Sequence, residues 1–161
     1  MTDDVWGRPP QTSHPTPNRW ELVLPWTKPP MSLNDRMDRW TKARWTKTLR
    51  QTAWALSKHA KIPPLGECEV VLLYVPRDRR RRDEDNLTAT LKPLADGLVD
   101  AGVVVDDTPD FMGKDCRIGD PDPKRPRLVL VVERRSGPLT PEALGRGGVP
   151  WYITSVVDGA P

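Results

Sequence analysis

Cysteine and histidine are too scarce in this chain to support a framework of their own. The two cysteines, Cys68 and Cys116, do not make a disulfide scaffold. With only His14 and His59 beside them, they lack the short ligand spacing of a zinc site. Reduced thiols in a cytoplasmic protein, of a bacterial cell or a phage-infected host, are the expectation. No apolar run approaches bilayer-spanning length, so no membrane partner is expected. Asp3 and Asp4, set among prolines, are unlike a signal peptide. There is no glycine-rich phosphate loop, and no Ser-His-Asp or Cys-His set offers covalent catalysis. A calcium loop of EF-hand type beginning at Asp83 is excluded as well. Its sixth position would have to be glycine and is Thr88; its twelfth would have to be glutamate and is Leu94.

Proline is plentiful, with 19 residues concentrated at the two ends and in connecting segments. Cations are plentiful locally rather than in total, since the net charge is only +3. Arg39, Lys42, Arg44, Lys47, Arg50, Lys58 and Lys61 follow one another with no Asp or Glu before Gly66. A basic field of that kind points to a polyanionic partner more directly than the overall balance does.

Residues 1–18, with Pro9, Pro10, Pro15 and Pro17 among polar spacers, are predicted to be a disordered arm. Residues 19–135 are expected to form one domain. Residues 136–161 read as an extension, flexible or dimer-associated, with a short helix at 141–144 and an apolar Trp151-Tyr152-Ile153.

Within the domain, Glu21–Leu24 reads as a strand stopped by Pro25, and Pro29-Pro30 forces an extended loop. Asn34 or Asp35 is expected to cap a long helix ending near Lys61. Trp45, Leu49, Thr52, Ala53, Leu56 and Ala60 would form its buried stripe. The opposite face collects Arg36, Arg44, Lys47, Arg50, Lys58 and Lys61, with Trp40 and Trp54 among them. Glu69–Val75 is apolar on both faces, which predicts a central strand covered on both sides.

A second helix, capped by Asp85 or Asn86, would bury Leu87, Leu91, Leu94 and Leu98 and stop at Gly102. Pro93 predicts a kink, or a helix restarting with Pro93 at its first position. Val103–Val105 reads as a third strand delivering Asp106 and Asp107, with 115–118 continuing the sheet and Arg127–Glu133 closing it. The order predicts an α/β (α+β) fold: a small mixed sheet of about four strands packed with two main helices.

One segment carries the chemistry. Arg77 and the block Arg79, Arg80, Arg81 and Arg82 run into Asp83-Glu84-Asp85-Asn86. In extended backbone, residues i and i+2 point to one side, so Asp83 and Asp85 can reach one hard cation such as Mg²⁺. Asp106-Asp107 arrives from another segment. Adjacent strand residues face opposite ways, so one of the two completes the site, and spacing alone leaves open which. The bland alternative is that Asp83 and Asp85 only cap a helix. The arginines are read as phosphate-gripping residues, joined by Arg44, Lys47 and Arg50 on the first helix. Asp115, Asp120 and Asp122, near Pro121 and Pro123, are read as turn chemistry without a role. Lys92 either pairs with Asp96 one turn on or points toward the carboxylates.

Taken together, Leu24-Pro25-Trp26, the basic run into Asp83-Glu84-Asp85-Asn86-Leu87, then Lys92, Asp96 and Leu98, Asp100-Ala101-Gly102, Asp106-Asp107 and a last strand over Leu128–Glu133 resemble the RusA-type Holliday-junction resolvases. The resemblance covers residues 20–135. It implies a homodimeric, Mg²⁺-dependent endonuclease, with Mn²⁺ as a possible substitute, acting on branched DNA. Such an enzyme nicks four-way junctions symmetrically and leaves 5′-phosphate and 3′-hydroxyl ends. It also implies metal binding and catalysis by Asp83, Asp85 and Asp107, with Asp106 close by and Lys92 as an essential cation. The stretch from Asn86 to the lysine is longer than the family pattern by about three residues, nearly one helical turn, which leaves Lys92 on the same face. Broader action on branched DNA, and junction binding without cleavage, are the competing expectations.

Overall fold

Short apolar runs between proline and glycine breaks become strands, and the longer amphipathic stretches become helices, in the computed structural model, which describes residues 18–135. The elements are β1 (Arg19–Val23), α1 (Arg39–His59), β2 (Cys68–Val75), a short 3₁₀ turn (Glu84–Leu87), α2 (Thr88–Asp100), β3 (Met112–Ile118) and β4 (Arg127–Arg134). The expected arm, apart from Asn18, and the whole of 136–161 lie outside the described residues.

The strands form one four-stranded sheet in the order β1-β4-β2-β3. β4 pairs antiparallel with both β1 and β2. β2 and β3 are parallel, in register from Cys68 opposite Met112 to Tyr74 opposite Ile118. The sheet is therefore mixed, and with its two helices the α+β expectation holds. α2 is the crossover that a parallel pair requires.

Residues of β2 divide between the two faces with period two. Val70, Leu72 and Tyr74 join Leu128, Leu130 and Val132 of β4 against Leu49 and Ala53 of α1 and Leu91, Leu94, Ala95 and Leu98 of α2. Val71, Leu73 and Val75 form a smaller buried cluster with Val129 and Val131 on the other face. The prediction of a strand covered on both sides is met.

The start of α1 differs from expectation. Asp38 caps it, its Oδ1 accepting from the backbone N–H of Trp40 and Thr41, each at 3.0 Å. Asp35 is spent in a tighter turn upstream: Ser32 N donates to its carboxylate at 2.8 Å, and its own N–H donates to the Ser32 carbonyl at 3.1 Å. Asn34 instead donates to the Asn86 side chain at 3.1 Å. Arg36 consequently lies outside the helix. The C-terminus closes as a Schellman motif, with Ile62 N donating to Ser57 O and Lys61 held at φ 55.

The α2 region also departs from pattern in two places. Asp83, not Asp85 or Asn86, is the cap, and it caps the 3₁₀ turn. The helix then runs unbroken from Thr88 to Asp100 with Pro93 buried inside it, so it does not restart there. Its expected apolar face is correct, and Gly102, at φ 79, is the stop. Gly102 N donates to Val99 O at 2.9 Å and Val103 N to Leu98 O at 3.1 Å, a second Schellman motif.

That motif explains why Val103–Val105 is not a strand. Val103 gives its N–H to the helix end and its carbonyl to Leu65 N at 2.8 Å, so neither backbone group is free for a ladder. Val103 and Val104 are buried as anchors of a bent loop, while Val105 is 75% exposed. The third strand of the sheet begins later, at Met112.

The two helices touch at Gly97. A methyl group built there would run into the Arg50 carbonyl and the Ala53 side chain. Only glycine permits so close an approach of the backbones. A buried hydrogen-bond pair fixes the Pro29-Pro30 loop onto α2: Thr90 Oγ1 donates to Met31 O at 2.7 Å and accepts from Met31 N at 3.3 Å.

Candidate active site

Four segments meet around a hollow of about 360 Å³ at the N-terminal end of α2. The 3₁₀ turn contributes Glu84 and Asp85, α2 contributes Lys92, the loop after α2 contributes Asp107, and β3 contributes Lys114, Asp115 and Arg117. Of the residues expected to carry chemistry, Asp85, Asp107 and Lys92 thus line one space. Because the helix is unbroken, Lys92 follows Thr88 by one turn and lines the same hollow, so the longer spacing after Asn86 does not remove it.

Asp83 lies apart. It lines an adjoining hollow with Arg81, Arg82, Asn34 and Asn86, which shares only Glu84 and Asp85 with the first. Asp83 and Asp85 line that second hollow together. Asp83 is extended, at φ −106 and ψ 123, but the chain turns into a 3₁₀ helix immediately after it. Its Oδ1 accepts from Asp85 N at 3.1 Å, the capping role of the bland alternative.

The acidic pair after α2 is resolved by one hydrogen bond. Asp106 turns back and accepts from Asp107 N at 2.8 Å, so Asp106 fixes the loop while Asp107 faces the hollow. Lys114 holds Asp107 twice, donating to its carbonyl at 2.8 Å and to its carboxylate at 3.0 Å. The hydrogen bond from Lys114 keeps the Asp107 carboxyl below the usual carboxylate range, so it is an anion at neutral pH.

Glu84 ties the turn to the sheet edge, accepting from Ile118 N and from Arg117 Nη1, each at 3.2 Å. Arg117 also pairs with Asp115 at 2.8 Å. Burial pushes the Cys116 thiol up to about 11, which leaves it protonated beside the hollow.

The donors suit a hard cation, being carboxylate oxygens. Among the described residues, however, no three acidic, histidine or cysteine side chains stand close enough together to hold a metal ion. Asp85 and Asp107 both line the hollow, and Lys114 occupies the Asp107 carboxylate.

The arginines divide into two groups. Arg82 is structural: it donates to the carbonyls of Asp78 and Arg80 at 3.0 and 2.9 Å, pairs with the Asp78 carboxylate at 2.7 Å and lies 5.6 Å over the Tyr74 ring. Arg80 leans toward Asp78 at 3.5 Å but remains open to solvent. Arg77, Arg79 and Arg81 are exposed. On α1, Arg44 and Lys47 are exposed, whereas Arg50 makes a two-pronged pair with Asp100 of α2.

Lys114 and Asp115 were not anticipated from sequence as site residues. Asp122 does perform the turn chemistry expected of its cluster, accepting from Lys124 N at 3.2 Å and Arg125 N at 3.1 Å. Asp115 instead belongs to β3. The signal available was the alternation Met112, Cys116, Ile118 on the core-facing side, which puts Lys114 on that side too.

No family model matches the chain. An uncharacterized protein of Xylella fastidiosa (strain Temecula1 / ATCC 700964) is 30% identical over 85 residues, covering 50% of this chain. The chain spans about half of that relative's length, 56% of it.

Proposed function

We propose that this chain is a Mg²⁺-dependent, structure-selective endodeoxyribonuclease of RusA type that resolves four-way DNA junctions by paired symmetric nicks in recombination, repair or phage DNA processing. The observation that carries the reading is the meeting of Asp85, Asp107 and Lys92 from three segments around one hollow, with the exposed Arg81 lining the hollow that adjoins it. Asp85 and Asp107 would hold the metal, with Asp83 and Asp106 supporting the turn and loop that present them. When bound, Mg²⁺ supplies positive charge to the scissile phosphate and acidifies an attacking water.

The chain's own residues do the rest. Lys92 presents a cation to a phosphate entering the hollow, where charge builds up as the bond to the leaving oxygen breaks. Arg77, Arg79 and Arg81 grip flanking phosphates and set the register of the strand without reading its sequence. Cleavage on the 3′-oxygen side leaves 5′-phosphate and 3′-hydroxyl ends, which are ligatable. Symmetric nicking calls for two copies of the site, so the active species in this reading is a homodimer whose two-fold axis matches that of the junction.

A second reading is favoured by the Lys114–Asp107 pair, which satisfies the carboxylate without any metal: a module that binds branched DNA and does not cut it. One experiment separates them. A synthetic mobile four-way junction is incubated with the protein in Mg²⁺ and in EDTA, beside three-way and flap substrates. The nuclease reading expects Mg²⁺-dependent nicks paired across the junction, reduced about a hundredfold or more by Asp85→Asn or Asp107→Asn. Equal junction retention in both conditions with no nicks establishes the binder. Full cleavage by Asp85→Asn rules out the site assigned here.

A further inference from the structure

We propose that the outer face of α1 is a binding platform for unpaired DNA strand, with Trp40 and Trp54 stacking on bases at its two ends. The inference deepens the reading above, from which it takes the DNA partner.

Trp40 and Trp54 are 78% and 46% exposed, while the buried side of the same helix is Leu49, Ala53 and Ser57. Large aromatic side chains in water need a reason, and position supplies one. The two tryptophans stand fourteen residues apart, which is near a whole number of turns and about 21 Å along the axis. Between and beyond them on the same side run Arg44, Lys47, Gln51 and Lys58, all exposed. Asp100 of α2 is engaged by Arg50 at the flank of this stripe, and Asp38 is taken up in capping the helix through the N–H groups of Trp40 and Thr41.

The chemistry of the stripe selects the occupant. A second copy of the chain docked on this face would bring Arg44, Lys47 and Lys58 against their own kind, with no acid on the stripe to compensate. A partner helix held by apolar packing would need a continuous apolar seam, and the positions between the tryptophans are polar or charged. An unpaired nucleic-acid strand offers what the stripe lacks: a line of negative charge and planar rings free to stack. Duplex DNA offers the charge but hides the rings. The distance between the tryptophans corresponds to about six steps of strand at 3.4 Å per step. A gapped or opened branch, rather than a fully paired crossover, supplies such a strand, and that is how this face bears on the branched substrates proposed above.

The test is binding in EDTA, so that cleavage plays no part. A labelled oligothymidylate of about twelve nucleotides, twice the span of the platform, is titrated by fluorescence anisotropy, beside a duplex of the same length. Trp40→Ala and Trp54→Ala are each expected to weaken binding to the single strand about tenfold, within the range for loss of one stacked base. Binding to duplex should change less than twofold. Trp40→Phe and Trp54→Phe should recover most of the affinity, because a ring remains, which separates stacking from a change in the fold. Lys47→Ala should weaken both DNA forms together and flatten the salt dependence. Unchanged single-strand affinity in the alanine variants overturns the platform, as does an equal loss for duplex, or competition by polyglutamate that matches the oligonucleotide. Those results leave Mg²⁺-dependent junction cleavage untouched. A wild-type protein that never nicks branched DNA yet loses single-strand affinity in the alanine variants removes the nuclease reading and keeps the platform.

Discussion

Lys114 reaches across from β3 to hold Asp107 at both its carbonyl and its carboxylate, at 2.8 and 3.0 Å. One side chain thereby orients the loop after α2 and sets the ionisation of the carboxylate that faces the hollow. Removing the ammonium while keeping its methylene stem, in Lys114→Met, should raise the Asp107 carboxyl toward the ordinary carboxylate range. Carboxyl-carbon NMR titration of the metal-free protein reads this directly. The sign for stability follows from the depressed native value. The contribution of the pair is present above the unfolded carboxylate value and is lost as pH falls through the native one. Acid unfolding of Lys114→Met should accordingly show a smaller loss of stability on acidification than wild type. An unmoved Asp107 titration would show that Lys114 does not control it.

Gly97 sets the separation of the two helices. Gly97→Ala places a methyl against the Arg50 carbonyl and Ala53, in a contact that backbone must yield to accommodate. Overpacking of this kind costs about 1–3 kcal/mol. Chemical denaturation should show a lower midpoint with an unchanged slope. A variant as stable as wild type would mean that the helices separate freely.

The Thr90 hydroxyl is fully buried and serves both backbone groups of Met31. Thr90→Val keeps the shape and strips the hydroxyl, leaving a buried carbonyl and N–H without their partner. A loss of about 1–3 kcal/mol is expected. Faster amide exchange at Met31 should accompany it, because the loop carrying Pro29 and Pro30 is then held only by packing. Unchanged exchange there would contradict the assignment.

Arg82 is expected to behave unlike its neighbours in the arginine block. Arg82→Ala removes the fork that closes the loop on Asp78 and Tyr74, and it should lower stability measurably. Arg79→Ala and Arg81→Ala should leave thermal unfolding within about 0.5 kcal/mol of wild type, as exposed substitutions do, and should reduce the salt dependence of DNA binding. The hydrogen bond from Arg82 holds the Asp78 carboxyl down, so the stabilising effect of Arg82 should fade as pH drops through the native Asp78 value. Equal behaviour of all three variants would show that the block is one solvated run.

The sequence made some of this legible and concealed the rest for physical reasons. β2 and β4 could be read because unbroken β-branched and leucine runs have few alternatives. The buried face of α2 could be read because leucines recur at helical spacing through Pro93. Val103–Val105 misled because its composition is that of a strand, while its hydrogen bonds are taken by the Schellman motif set by Gly102 and by Leu65. β3 was partly hidden because Lys114 interrupts its apolar alternation and Asp115 and Arg117 fill the other face. Those same polar residues make it a wall of the hollow. Asp83 and Asp85 were paired on the assumption of extended backbone; the 3₁₀ turn after Asp83 leaves both lining the second hollow and only Asp85 lining the first. Asp106 and Asp107 could not be told apart by spacing. They differ through a single hydrogen bond that no periodicity encodes.

The strand order β1-β4-β2-β3 has a consequence for how the chain is built. Among the described strands β4 is the last to leave the ribosome, yet it lies between the first two. β1 has no other neighbour in the sheet, and its register joins Arg19 to Glu133 across nearly the whole described chain. Until β4 arrives, β1 must wait unpaired, and β2 can find a neighbour only in β3. The β2-α2-β3 unit, which also brings Asp85, Lys92 and Asp107 together, can assemble from contacts local to it. The sheet as a whole closes through its most distant pair, the slow class of contact in folding. The walls of the hollow are thus the part of the protein able to form early, and the strand nearest the N-terminus is the part that joins last.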